Sequence, residues 1–402
     1  MQFIIRSLIK KIFLWLLPYY HTIYVQLLRY KRKVNVVFFA MSLPMWRYQH
    51  LYELLSKHDK FNVYIVILPC LQYSVEQQQR DVEQLKEYFD SRGIAYFCNQ
   101  DDAKEYLDRI SPNILFYPQP YKGNFSPDVD FTAFYNRLLC CYPYAFWTGI
   151  GEWSYNQLYH KIAWKLFYST ELHKREAEQY SSRGSENVAV VGYPTADDFL
   201  SYRPRTPHVV GKKRIIWAPH FTIKSGGPLC QSNFLWMADL MVSLVDLYSD
   251  EVQFIFKPHP RLFSELCKHP EWGVKRTEEY YRFWTTMETG IFHDLFIESD
   301  AMIHDCGSFS VEYHYTENPV MYIAHDIEAQ LADKNNLGKM ALQQHYIGRS
   351  KEDIMSFIEN VVIAGSDPMK AERQQFKKDY LLPPNGKSVA ENTLNVLVKA
   401  LC

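Results

Sequence analysis

The chain reads as an α/β protein of two doubly wound, Rossmann-like domains preceded by an amphipathic helical segment. Three observations predict this. From Val34 onward, short apolar and aromatic runs alternate with helical stretches, the order that builds parallel sheets covered on both faces. The 402 residues, 47% of them hydrophobic, exceed what one core serves, usually about 250–300 residues. Near the middle, from Ser201 to Lys213, a Pro-, Gly- and charge-rich stretch interrupts the alternation and reads as a linker.

The first thirty-three residues differ in kind. Phe3, Ile4, Ile5, Leu8, Ile9, Ile12, Phe13, Trp15 and Leu16 recur near helical spacing, with Arg6, Lys10 and Lys11 toward the other side. A basic flank of Arg29, Lys31, Arg32 and Lys33 adds attraction to an anionic membrane surface. The uncharged stretch Ile12 to Leu28 sits at the lower edge for a span, which needs about 17–25 residues, and Pro18 and His21 interrupt it. An interfacial helix over residues 1–33 is the expectation, with an ordinary packed helix as the alternative. No small-residue cleavage site follows, which disfavours a signal peptide.

Residues 34–200 form the first predicted domain. Strands are expected at Val34–Phe39, Asn62–Leu68, Ile94–Phe97, Asn113–Tyr117 and Tyr144–Trp147, with helices at Trp46–Ser56 and Val75–Arg92. The last strand runs into Thr148-Gly149-Ile150-Gly151, where glycines let a ligand approach the backbone; a plain tight turn explains them equally. Thr148, Gly149 and Gly151 are candidate substrate contacts, and Glu152 follows them. His160 lies on a helical stretch with Trp164 one turn away, so it reads as packed rather than catalytic.

The second predicted domain spans residues 214–380. Its strand Arg214–Ala218 ends at His220 and Thr222, followed by the loop Lys224-Ser225-Gly226-Gly227 and a helix from Asn233 to Tyr248. The strand at Val252–Phe256 ends in Lys257-Pro258-His259-Pro260-Arg261, three potential cations in five residues on a turn stiffened by two prolines. In open α/β sheets ligands bind at such carboxyl strand ends, and these side chains suit a phosphate or pyrophosphate. Another apolar strand enters the turn His304-Asp305-Cys306-Gly307-Ser308, then Ser310 and Glu312 on a helix. Amides of a helix start with Ser308 and Ser310 hydroxyls make an anion site, although Ser308 as a simple cap is an equal reading. Asp305 or Glu312 would orient a ligand's hydroxyls, such as those of a ribose, and His304 is a further candidate substrate contact. Asn318-Pro319 then leads to the strand Val320–Ile323.

Taken in order, Gly192-Tyr193-Pro194, Trp217-Ala218-Pro219-His220, Lys257-Pro258-His259-Pro260, Ser299-Asp300 with Asp305-Cys306-Gly307-Ser308, Asn318-Pro319 and Asn385-Gly386-Lys387-Ser388 resemble the motifs of the CDP-glycerol glycerophosphotransferase family of teichoic-acid primases and polymerases. The resemblance covers roughly residues 110 to 400. It implies the GT-B arrangement, two such domains facing a cleft, with residues 381–402 returning to the first domain. Two departures stand out. The family carries W-H-G-T, whose histidine is taken as the base, where this chain has Trp147-Thr148-Gly149-Ile150; and the family's D-Y-S-S is Asp305-Cys306-Gly307-Ser308 here. Glu152, His160 and His220 are the candidates for the missing base.

Composition narrows the partners. A net charge of −1 from 44 basic and 45 acidic residues argues against a nucleic-acid binder. Eight cysteines without a C-x-x-C favour the cytoplasm. No H-x-x-x-H or D-x-D spacing accompanies the histidines, so a metal-independent site without a cofactor is expected. The expected reaction moves a phosphoalditol group, glycerol phosphate from CDP-glycerol or another nucleotide-diphospho donor, onto a hydroxyl of a membrane-linked glycan or lipid at the inner face of the cell membrane. His259 and Lys257, with Arg261, would stabilise charge, and His220 or Glu152 would serve as base. An inverting glycosyltransferase using a nucleotide sugar, with Glu152 activating the acceptor, and a catalytically silent nucleotide- or glycan-binding scaffold are the alternatives.

Overall fold

The computed structural model describes residues 2–201, 211–223, 232–284, 286 and 292–402, with residues 2–10 described by backbone alone. The expected linker from Tyr202 to Pro207, the loop Lys224–Gly227 and the side chains from Phe3 to Ile9 lie outside it. The chain divides into two compact units, one of residues 1–144, 151–197 and 382–402, the other of residues 145–150 and 198–381.

The first unit holds six strands, β1 Val34–Ala40, β2 Phe61–Ile67, β3 Ile114–Phe116, β4 Leu138–Cys141, β5 Lys165–Tyr168 and β6 Val188–Val190, all parallel in the order β2-β1-β3-β4-β5-β6. Val36, Val37, Phe38 and Phe39 are all fully buried, the signature of a parallel strand covered on both faces. Two strand expectations fail. Ile94–Phe97 contributes only a single bridge, Val66 to Phe97, and Tyr144–Trp147 forms no strand. Pro143 precedes the latter and cannot donate to a ladder, and the strand instead is the Leu138–Cys141 run before it. Lys165–Tyr168 and Val188–Val190 are too short for periodicity to reveal.

The α1 helix, Gln2–Arg29, packs Leu17, His21, Val25 and Leu28 on this unit, with the Arg29 side chain donating to the Ala400 carbonyl. The helix Val389–Leu401 belongs to the same unit. Ser388 caps it in a capping box with Glu391, and the Asp197 carboxylate accepts the N–H groups of Val389 and Ala390. Gly192 sits at φ +103°, and a Cβ there would come within 2.9 Å of Val389 and 3.0 Å of Pro383, so the turn at Gly192-Tyr193-Pro194 requires its glycine.

The second unit holds β7 Lys213–Ala218, β8 Val252–Phe256, β9 Ala301–His304, β10 Val320–Ile323 and β11 Tyr346–Gly348, again all parallel, in the order β11-β10-β9-β7-β8. Alternation along these strands divides the interior in two. Ile215, Trp217, Phe254, Phe256, Ala301 and Ile303 enter one core with the helix Phe234–Leu247, while Ile216, Ala218, Ile255 and Met302 enter another with Phe296 and Tyr313. Trp217 stacks between Phe234 and Phe256 at centroid distances of 5.6 and 5.1 Å. Counted within each unit, both sheets run second-first-third-fourth-fifth strand. Each therefore changes direction between its first and third strands, the place where doubly wound sheets bind ligands.

Candidate active site

The direction change in the second unit falls between β7 and β9, and the residues after these strands and after β8 converge there. Backbone bonds carry the β7–β8 pairing past the strand ends, from Lys257 N–H to the Trp217 carbonyl and from His259 N–H to the Pro219 carbonyl. The His220 and His259 rings consequently lie 5.1 Å apart. Phe221 packs against His259 at 4.3 Å on one contact and beneath the Arg261 guanidinium at 4.2 Å on another. Arg261 itself is exposed and pairs with Glu265 at 3.7 Å.

Both histidines are held with one nitrogen inward. His259 Nδ1 accepts the Arg261 N–H at 3.1 Å, and His220 Nδ1 lies 2.8 Å from the Thr222 hydroxyl and accepts the Thr222 N–H at 3.4 Å. In the neutral ring the proton then sits on Nε2, a donor for a ligand. Burial, Lys334 and Arg261 lower His220 to about 4; burial, His220, Arg261 and Lys257 lower His259 to about 3. Both rings are therefore neutral near pH 7, and a nearby anion would favour their protonation. Lys257 is buried, its ammonium 5.9 Å from the Phe292 ring centroid.

Asp305 is a clasp. Its two oxygens accept the His220 N–H at 2.6 Å and the Asn233 N–H at 2.5 Å, joining the ends of β7 and β9 to the start of the helix Phe234–Leu247. Burial pushes its carboxyl up to about 7 against those two bonds. Cys306, where the resembled motif has tyrosine, donates its thiol to the Ala218 carbonyl, and burial raises that thiol well above the ordinary range. Beyond it, Gly307 and Ser308 are half-buried. Ser308 makes no side-chain cap, and among the described residues its hydroxyl has no partner. The helical turn Phe309–Glu312 passes directly into a 3-10 segment, Tyr313–Thr316.

Three of the sequence-derived candidates face inward. Ser310 is fully buried, and its hydroxyl donates to the Gly307 carbonyl at 2.5 Å. His304 is buried, with Nδ1 accepting the Cys306 N–H and Nε2 3.2 Å from His345 Nε2. Glu312 is buried and accepts the Phe146 N–H. The Ser310 hydroxyl and the His304 ring are thus engaged by groups of the protein itself.

The stretch carrying Thr148 and Gly149 belongs to the second unit, whereas Gly151 and Glu152 belong to the first. Thr148 is buried, and its carbonyl accepts the Asn335 N–H at 2.7 Å while the Asn335 amide donates to the Trp147 carbonyl at 3.0 Å. Asn335 also caps the helix Asn336–Leu342, whose Gly338 approaches so closely that a Cβ would lie 3.0 Å from Thr148. Glu152 is exposed at the start of the short helix Glu152–Tyr155. His160 is buried, accepts the Gln157 N–H, and is lowered to about 4 by burial and Lys161. Sequence reasoning missed Phe221, Asn233, Lys334 and Asn335. Asn335 before a helical run was a legible cap signal; burial of Lys334 had none.

The profile of the CDP-glycerol:poly(glycerophosphate) glycerophosphotransferase family matches residues 150–398. The chain belongs to this family. It is therefore a transferase of the glycerophosphotransferase class, carrying the family's Lys257-Pro258-His259-Pro260 turn at the strand end described above. Among solved structures it is similar to the wall teichoic acid polymerase TagF, at 13% identity and a TM-score of 0.59 over 93% of this chain and 90% of that one; TagF has also been soaked with CDPG. It is similar too to a putative UDP-N-acetylglucosamine 2-epimerase from Listeria monocytogenes (14% identity, TM-score 0.60, 92% and 96% covered) and to MnaA of S. aureus, solved with UDP (13%, 0.55, 91% and 96%). At these identities the likeness is one of fold. No curated protein sequence matches the chain.

Proposed function

We propose that the protein transfers glycerol phosphate from CDP-glycerol to a hydroxyl of a membrane-linked glycan or lipid in cell-surface polymer synthesis. The observation that carries this reading is the pair of imidazoles 5.1 Å apart at the ends of β7 and β8, each with Nδ1 engaged by its own loop, beside buried Lys257. The acceptor oxygen attacks the β-phosphorus, the bond from that phosphorus to the bridging oxygen breaks, and CMP leaves. Negative charge spreads over the phosphoryl oxygens, and preorganised donors stabilise it there. His259 and Lys257 serve that step, Arg261 adds an exposed cation, and Ser308 with the Gly307 turn holds the donor phosphates. His220 has its Nδ1 engaged by Thr222, so it is a donor to phosphate in this reading. The acceptor's proton passes to a general base, the role for which the sequence offers Glu152.

The acceptor's attachment to a membrane draws support from α1. Its outward face exposes Ile12, Trp15, Leu16, Tyr19, Ile23 and Leu27, with Trp15 65% accessible. Arg32 and Lys33 continue the basic flank, while Arg29 and Lys31 are engaged by Ala400 and Asn113. Among the described residues no helix is long and apolar enough to cross a membrane. The reading is tested by incubating the protein with CDP-glycerol and a glycan-lipid acceptor. Release of CMP matched by phosphoglycerol on the acceptor supports it. Silence with CDP-glycerol but release of UDP or GDP from a nucleotide sugar makes the enzyme a glycosyltransferase instead.

A further inference from the structure

We infer that Lys334 binds the donor's diphosphate at the carboxyl ends of β7 and β9. The inference rests on the nucleotide-diphosphate donor proposed above and adds a residue that no motif marks. Lys334 is only 2% exposed. Lysine is almost never buried so fully unless an opposite charge meets it, because removing an ammonium from water costs several kcal/mol. Among the described residues its ammonium makes no hydrogen bond and no ion pair, and its neighbour Asp333 is exposed. The charge nevertheless has a definite address. It disfavours protonation of His220 after β7 and of His304 at the end of β9, and it eases ionisation of Cys306 beside Asp305.

The backbone holds it there. Lys334 forms an antiparallel bridge with Gly149 and donates its N–H to the Leu331 carbonyl, while Asn335 clamps the Thr148 and Trp147 carbonyls. A lysine held this firmly beside His220 and His304, its ammonium disfavoured by burial and eased among carboxylates only by the exposed Asp333, gains from an anion supplied from outside. The ligand chemistry these groups share is a phosphate or diphosphate, which lysine meets as a point charge.

The test uses the full chain carrying Lys334→Met and Lys334→Arg, with inorganic pyrophosphate and CDP as calorimetric probes and donor turnover as a second readout. Lys334→Met is expected to weaken binding of both probes at least tenfold, with the loss in turnover carried by KM, and to leave the ligand-free melting temperature unchanged or higher. Lys334→Arg is expected to recover part of the binding. Unaltered affinity in Lys334→Met overturns the assignment, as does a lower melting temperature with probe affinity retained, which marks a structural lysine. Wild type that binds pyrophosphate but not CDP defeats the cytidine donor and leaves Lys334 to be judged on pyrophosphate. Wild type that binds neither overturns both.

Discussion

The two units share a strand order and differ in what fills the place where that order reverses. In the first unit it is plugged by aromatic rings. Tyr48 packs on Phe38, Phe116 and Tyr142 and donates to the carbonyl of Tyr117, the residue directly after β3. Burial holds the Tyr48 and Tyr117 hydroxyls well above their ordinary range, so both stay protonated at physiological pH. In the second unit the same place collects His220, His259, Lys257 and Lys334, with Asp305 tying the loops together. One topology thus supports a packed stop in one unit and a cluster of imidazole and ammonium side chains in the other, and side chains at a few strand ends decide which.

The largest effect expected from this contrast is on turnover. His259→Ala should lower kcat on the order of 10²–10³-fold, the cost of losing one preorganised donor, while the fold melts near the wild-type temperature. A variant retaining a tenth of wild-type turnover would remove His259 from the chemistry. The counterpart in the first unit is Tyr48→Phe, which should cost about 1 kcal/mol of stability through its lost hydrogen bond and leave donor affinity untouched.

Acid should separate the units as well. Histidines whose protonation the fold opposes include His220, His259, His304, His314 and His345 in the second unit, against His21 and His160 in the first. Each has a folded pKa below 6.5, so the unfolded chain binds the proton first. Stability is therefore full above about pH 6.5 and declines as pH falls toward about 4, at up to about 1.4 kcal/mol per pH unit for each histidine. Asp305 in the second unit, raised to about 7, and Asp81 in the first, raised to about 6, gain on acidification and oppose the trend by one group each. Hydrogen exchange at pH 5 should thus show the second unit opening before the first; the reverse order would refute this charge accounting.

Smaller effects probe the periphery. Ser308→Ala should raise the donor KM several-fold with kcat little changed, because its hydroxyl meets phosphate in ground and transition states alike; a collapsed kcat at constant KM would move Ser308 into the chemical step. Trp15→Ser with Ile23→Ser should reduce binding to anionic vesicles without altering CDP affinity. Deleting α1 is the poorer test, since it would also strip Leu17, Val25 and Leu28 from their packing on the first unit.

Much of the second unit was legible because its chemistry is local. The Val252–Phe256 run with Lys257-Pro258-His259 carries apolar content, stiffness and charge in one stretch of sequence, and β7, β9 and β10 announce themselves as buried runs bounded by turn residues. What escaped depends on distance. Three-residue strands such as β6 carry too little periodicity to read. The roles of Asp305, Ser310 and Glu312 turn on whether a polar side chain points to a ligand or to a backbone group from another element. Lys334 and Asn335 lie nearly two hundred residues from the Trp147–Gly149 stretch they clamp, so only the folded chain shows them together.

The second unit's reversal point, rather than its topological twin, is expected to hold the donor. Hydrogen exchange of the full chain with and without saturating CDP tests it most directly. Protection is expected at His220–Thr222, Lys257–Arg261 and Gly307–Ser308, with no change at Met41–Ser42 and Tyr117–Gln119 after β1 and β3. Protection confined to the first unit's strand ends, or none in the second, would contradict it.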